Sequence, residues 1–172
     1  VNGTITVDNP PAGVDDAATG DEGGTVTTLD GGGTSLLAND TDADLPNDSL
    51  TVNTTPVTAP SHGSVVLNAD GTFSYTHDGS EQFTDSFTYE VTDAAGHADT
   101  AVVTLTINPV NDNPPVITSA ATATIDENTA AVLTATATDA DLPGDTLLWS
   151  IEGGSDGSFF TIDEGTGALS FS

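Results

Sequence analysis

Part of this sequence is written twice, and the interval between the copies sets the size of its folding unit. Asp8-Asn9-Pro10-Pro11 recurs as Asp112-Asn113-Pro114-Pro115, an offset of 104. Asp21-Glu22 recurs as Asp126-Glu127, an offset of 105. Thr41-Asp42-Ala43-Asp44-Leu45-Pro46, followed by Asp48, recurs as Thr138-Asp139-Ala140-Asp141-Leu142-Pro143, followed by Asp145, an offset of 97. Three matches in one order define a repeat of about 100 residues. The shorter last offset puts the extra residues of the first copy between Glu22 and Asp42, where the Gly31-Gly32-Gly33 run lies. The phasing makes residues 1–7 the terminal strand of a preceding repeat, 8–111 a full repeat and 112–172 the N-terminal part of a second. The chain thus reads as an excerpt from a longer array.

The local pattern is that of strands. Phe73 and Tyr75 alternate with Thr72, Ser74 and Thr76; Phe87, Tyr89 and Val91 alternate with Ser86, Thr88, Glu90 and Thr92; Val103, Leu105 and Ile107 alternate with Thr104 and Thr106. Alternation of period two gives a strand one apolar face. Asp70-Gly71 between Ser64–Asn68 and Thr72–Thr76 is a two-residue hairpin signal, and Ala94-Ala95-Gly96-His97 joins the next two strands. The second copy continues with strands over Ala131–Thr138, Leu147–Ile151, Phe159–Ile162 and Ala168–Phe171. No useful stretch has a helical period. The expected fold is all-β: tandem Greek-key β-sandwich repeats, the last one incomplete. Trp149, alternating with Leu147 and Ile151, is expected in the core.

Charge narrows the function. The chain carries 27 Asp and Glu, no Lys or Arg and three His, a formal net charge of -27. Two like charges about 4 Å apart repel by roughly 4 kcal/mol at an effective dielectric near 20. Acids gathered by the fold therefore need a proton, full solvation or an outside cation, and a hard divalent ion with oxygen ligands suits them. A nucleic-acid surface needs the Lys and Arg this chain lacks. An anionic membrane repels it, and no apolar run approaches a membrane-spanning length. Without Cys there are no disulfides, so bound metal is the available cross-link for a secreted domain.

The acids are patterned. Asp-x-Asp places two carboxylates on one side of an extended segment, and the same hexapeptide occurs in both copies. Asp40, Asp42 and Asp44 are not an EF-hand: Leu45 stands at its Gly and Thr51 at its Glu. Paired carboxylates can hydrolyse glycosides, but among 27 acids some pair at that spacing is inevitable. Ser61-His62 beside an Asp evokes a nucleophilic triad, yet it follows Pro60 in a polar loop. His62, His77 and His97 lack zinc-ligand spacing and read as exposed turn residues. No catalytic residue is assigned.

Several segments together resemble one family. Asn111-Asp112-Asn113-Pro114-Pro115 resembles the linker of cadherin repeats, Asp126-Glu127-Asn128 their Pro-Glu-Asn motif, and Thr138-Asp139-Ala140-Asp141 their Asp-x-Asp loop. Phe160-Thr161-Ile162-Asp163 through Gly167-Ala168-Leu169 is similar to their F-x-I-D-x-x-T-G-x-L segment. In the first copy, 37–44 and 84–93 resemble the bacterial cadherin-like repeats of large RTX-type surface adhesins. The resemblance implies calcium at each junction between repeats. At the middle junction the implied ligands are Glu22 and Asp85 from the first repeat, Asn111, Asp112 and Asn113 from the linker, and Asp139 and Asp141 from the second repeat. At the N-terminal junction they are Asp8, Asn9, Asp42, Asp44 and Asp93, with Asp15, Asp16, Asp48 and Asp145 as lesser candidates. Two departures stand out. Pro109 replaces the first Asp of the linker motif, and the Leu-Asp-Arg-Glu motif has no clean counterpart, leaving Asp85, Glu81 or Asp78 to take its part.

The implied function is that of calcium-rigidified spacer repeats of an extracellular adhesin, partnered by neighbouring repeats of the same chain and by other copies of itself, with no enzymatic activity. Two alternatives are a module binding glycans or partner domains, and a strand-exchanging filament subunit.

Overall fold

The computed structural model describes residues 8–46, 48–142 and 144–172. The proposed terminal strand at residues 1–7 lies outside the described residues. The chain forms two compact units, one ending at Pro109 and the other beginning at Val110.

The first unit is a β-sandwich. Its strands are β1 (Asp16–Asp21), β2 (Thr25–Val26), β3 (Thr51–Val52), β4 (Gly63–Leu67), β5 (Phe73–His77), β6 (Thr84–Thr92) and β7 (Ala98–Asn108). One sheet has the order β1-β7-β6-β3 and the other β2-β5-β4. β1 runs parallel to β7, with Ala18 opposite Leu105, while β6 and β7 are antiparallel, with Phe87 opposite Val103. The alternating residues seen in the sequence fill the core: Phe73, Tyr75, Phe87, Tyr89, Val91, Val103, Leu105 and Ile107 are all buried. Phe73 from one sheet meets Phe87 from the other, ring centroids 6.2 Å apart. Burying each such side chain contributes about 1.5–3 kcal/mol, and with no Cys in the chain no disulfide crosses between the sheets.

The structure departs from the sequence reading at three places in this unit. The β4–β5 loop has three residues, not two. Asn68 N–H bonds to Thr72 C=O at 2.9 Å and Gly71 N–H to Asn68 C=O at 3.0 Å, and Asp70 accepts the Thr72 N–H and hydroxyl. Gly71 has φ +82°, the left-handed residue that a three-residue hairpin requires. The β6–β7 loop repeats the design: Asp93 N–H bonds to His97 C=O, Gly96 N–H to Asp93 C=O, and Gly96 has φ +95°. Lastly, His77 is not an exposed turn residue. It is 3% exposed, because it continues the inward face of β5 after Phe73 and Tyr75.

The second unit contains β8 (Val116–Ile117), β9 (Ala131–Thr134), β10 (Ala137–Thr138), β11 (Phe160–Ile162) and β12 (Ala168–Phe171). They form a β10-β8 ribbon and a sheet of order β11-β12-β9. Phe160 stacks on Phe171 across β11 and β12, centroids 4.9 Å apart. The strand expected over Ala131–Thr138 is broken at Ala135–Thr136, and Leu147–Ile151 is not a strand. Among the described residues the unit has no counterpart of the β6–β7 hairpin, which supplies half of the first unit's core. Ile117, Leu148 and Phe159 stay exposed, and Trp149 is half-buried, not in a closed core.

Candidate metal centre

The loops that carry the acids are shaped by the acids themselves. Asp42 Oδ1 accepts the Asp44 N–H at 2.8 Å, an Asx turn that fixes the Asp-x-Asp segment. Asp44 Oδ2 in turn accepts the backbone N–H and side-chain amide of Asn9, at 2.7 and 3.1 Å. At the end of β6, Asp93 accepts the N–H groups of Gly96 and His97 at 2.6 and 2.8 Å. Asp48 accepts the Ala94 N–H at 3.2 Å. The loop before β3 and the β6–β7 loop are thereby brought together.

The result is a knot of oxygens. Asp42, Asp48 and Asp93 each bring a carboxylate oxygen within 4.8 Å of the others, and so do Asp8 and Asp93 with the His97 ring nitrogen. His97 Nδ1 lies 2.9 Å from Asp93 Oδ2 and 3.0 Å from Asp8 Oδ2. This bridging His97 was missed as a turn residue; its signal was its place directly after the loop closed by Asp93. Asp42 Oδ2 and Asp48 Oδ2 are buried with no hydrogen-bond partner. Burial and the charges of Asp93, Asp48 and Asp44 raise the Asp8 carboxyl above its ordinary pKa, against the pull of His97. Burial works against Asp93 too, but the hydrogen bonds from His97 and Gly96 outweigh it and hold that carboxyl below its ordinary value.

Oxygens that share a calcium ion lie about 2.3–2.6 Å from it, so two of them can be up to about 5 Å apart. The Asp42, Asp48 and Asp93 oxygens meet that spacing, and two buried orphan oxygens are what a hard cation satisfies. The donor set fits the ion the resemblance implies.

At the opposite end of the first sheet the chain turns a corner from β1 to β2. Glu22 sits at that corner, buried, its N–H bonded to Asn108 C=O at 3.0 Å. A carboxylate oxygen of Glu22 lies within 4.8 Å of one of Glu81. Asp85 does different work. Its oxygens accept the N–H groups of Ser61, His62 and Ser86 and the hydroxyl of Tyr75. Burial opposes ionisation there, yet these backbone bonds prevail and keep its carboxyl below the usual value. With four donors engaged, Asp85 ties a loop to the sheet, and of Asp85, Glu81 and Asp78 it is Glu81 whose carboxylate lies beside Glu22. The bonds it takes from Ser61 and His62 come from their backbones, which is not a triad arrangement. Asp15 and Asp16 are also committed elsewhere, to Val102 N–H and to Tyr89 and Asn39.

The second unit repeats the bonding between linker and Asp-x-Asp turn. Asn113 donates its N–H to Asp141 Oδ2 at 2.9 Å and its amide to Asp141 Oδ1 at 3.1 Å. Asp141 N–H bonds to Asp139 Oδ1 at 3.0 Å, and Asp139 Oδ2 is a third buried orphan. Asp112 accepts from the Asn113 amide, and Asn111 donates to Asp145 at 2.7 Å. Burial disfavours charge on Asp141, but bonds from Asn113 hold its carboxyl low.

Known proteins share this fold. Residues 8–109 match the family described as bacterial cadherin-like domain. No curated protein sequence matches the chain. Among solved structures, the protocadherin GammaB4 extracellular domain superposes with a TM-score of 0.70 at 17% identity, over 96% of this chain and 29% of that one. The human Desmocollin-1 ectodomain gives 0.61 at 22% identity, over 95% and 33%. Mouse Cadherin-23 EC22-24 gives 0.59 at 20% identity, over 95% and 54%. This chain thus spans about a third of the first two, and at these identities the likeness is one of fold.

Proposed function

The chain belongs to the bacterial cadherin-like domain family, and from that premise we propose that it is an extracellular spacer, part of a surface adhesin of the RTX type, whose repeats bind calcium at their acidic ends. The observation that carries this reading is the Asp42–Asp48–Asp93 group, with its buried, unpartnered oxygens, in a chain without Lys or Arg. Repeats of this kind contact mainly their neighbours, so a cation held where one repeat follows another stiffens the array. Without it the same acids repel. Extracellular modules hold calcium at about 10⁻⁴–10⁻³ M, which keeps them loaded outside a cell. The role is mechanical, with calcium as the cofactor and no enzymatic step. No helix among the described residues is long and apolar enough to cross a membrane.

Melting in millimolar calcium against a chelator tests the proposal. A calcium-dependent rise in Tm, with a stiffer X-ray scattering profile, supports it. Identical curves refute it.

A second reading, self-association, is favoured by the exposed Ile117, Leu148 and Phe159 of the second unit. Solution mass decides it: a dimer or larger species supports this reading, and a monomer at high concentration removes it.

A further inference from the structure

The Glu22–Glu81 pair raises a mechanical problem. Two carboxylates within 4.8 Å of each other repel, and the chain has no Lys or Arg to draw them together. A histidine joins the two segments that carry them. At the end of β5, the buried His77 ring lies among three pieces of chain. Its Nδ1 is 3.2 Å from the Gly23 nitrogen and 3.2 Å from the Gly79 nitrogen. Both are backbone N–H groups and can only donate, so Nδ1 is an acceptor. The ring proton therefore sits on Nε2, which donates to the Gln82 C=O at 3.2 Å. Every polar atom of the ring is used, and the imidazole is neutral with a fixed tautomer.

The bonded positions are the immediate neighbours of the two acids: Gly23 follows Glu22, and Gln82 follows Glu81. A further bond, His77 N–H to Gly24 C=O at 3.0 Å, ties the same corner to the β5 backbone. We propose that His77 is a positioning residue for calcium. Its neutral ring staples the β1–β2 corner to the 78–82 segment, so that Glu22 and Glu81 are held at ligand spacing before the ion arrives. A neutral staple suits the task, since it adds no charge to compete with the metal. Partners that orient metal ligands typically contribute about 10–100-fold in affinity.

This rests on the reading that Glu22 and Glu81 bind calcium, and the test separates the two ideas. Calcium is titrated into the full chain and followed by NMR, residue by residue. The Gly23 amide reports the Glu22 corner, and the Gly96 amide, bonded to Asp93, reports the other cluster. His77→Phe keeps the bulk and removes all three ring bonds. His77→Asn restores an acceptor near Nδ1. The expected result is a Kd at Gly23 weakened about tenfold or more in His77→Phe and by less in His77→Asn, with the Kd at Gly96 within about twofold of the parent in both. Loss of Tm without a site-specific loss of affinity is what a purely structural histidine gives, and it overturns the proposal. If His77→Phe does not fold, His77→Asn decides: an unchanged Kd at Gly23 overturns it. If the parent chain binds at Gly96 while its Gly23 amide never responds, the calcium reading of this corner fails, and the staple with it.

Discussion

Asn9 and Asp44 are joined twice, through the backbone N–H and the side-chain amide of Asn9, both donating to Asp44 Oδ2. Asn113 and Asp141 are joined by the same two groups. The partners are 35 residues apart in the first unit and 28 in the second, so the pairing tolerates a change in the intervening chain. Its effect is to anchor the linker segment onto the Asp-x-Asp turn, placing Asp8 beside the Asp93 cluster in the first unit.

Removing the side-chain half of that joint is measurable. Asn9→Ala leaves the backbone bond and is expected to cost about 1 kcal/mol of first-unit stability, read as a lower urea midpoint. It also lowers calcium affinity, since Asp8 loses its anchored neighbour.

Asp48→Asn tests the ligand set from the other side. It removes one charge from the group with Asp42 and Asp93. Calcium affinity is expected to fall about tenfold, equal to about 1.4 kcal/mol. The Tm in chelator stays level or rises, because repulsion is relieved. Loss of both together would indicate a simple packing defect.

Asp16 makes stability depend on pH away from the metal cluster. Burial, with Asp40 and Asp15 nearby, pushes its carboxyl up to about 6 from 3.8, against the bonds from Tyr89 and Asn39. A raised carboxylate pKa means the folded chain holds more protons than the unfolded one between those two values. This group's contribution to stability therefore falls as pH rises from about 4 to about 6, and the penalty is complete above that. After discounting for solvent screening it amounts to on the order of 1–2 kcal/mol. Asp16→Asn is expected to flatten the Tm–pH curve in this window and raise Tm at pH 8.

Gly71→Ala probes the β4–β5 loop. The residue has φ +82°, and an added Cβ would overlap Ser35 Oγ and lie 2.9 Å from Leu37 Cγ. Strain and overlap together are expected to destabilise the first unit by about 1–3 kcal/mol, seen in denaturant unfolding.

Much of the fold was legible because strands advertise themselves. The alternation around Phe87, Tyr89 and Val91 is enforced by the pleat, and the same residues are buried in the structure. The acidic turns were legible because they occur twice. What escaped were relationships between distant segments. Nothing local says that β1 runs parallel to β7, or that Asp85 would cap the Ser61–His62 backbone. The polar type of His77 points to exposure, while its position extends the buried Phe73–Tyr75 face. The alternation of Leu147, Trp149 and Ile151 is that of a core strand, but alternation buries a residue only where an opposing layer covers it.

The central claim is that the clustered carboxylates are calcium ligands. Isothermal titration calorimetry of calcium into the chelator-stripped chain tests it most directly. The account predicts saturable binding with Kd values near 10⁻⁴–10⁻³ M, diminished by Asp48→Asn. Heats no larger than those of dilution, at millimolar calcium and in both chains, would contradict it.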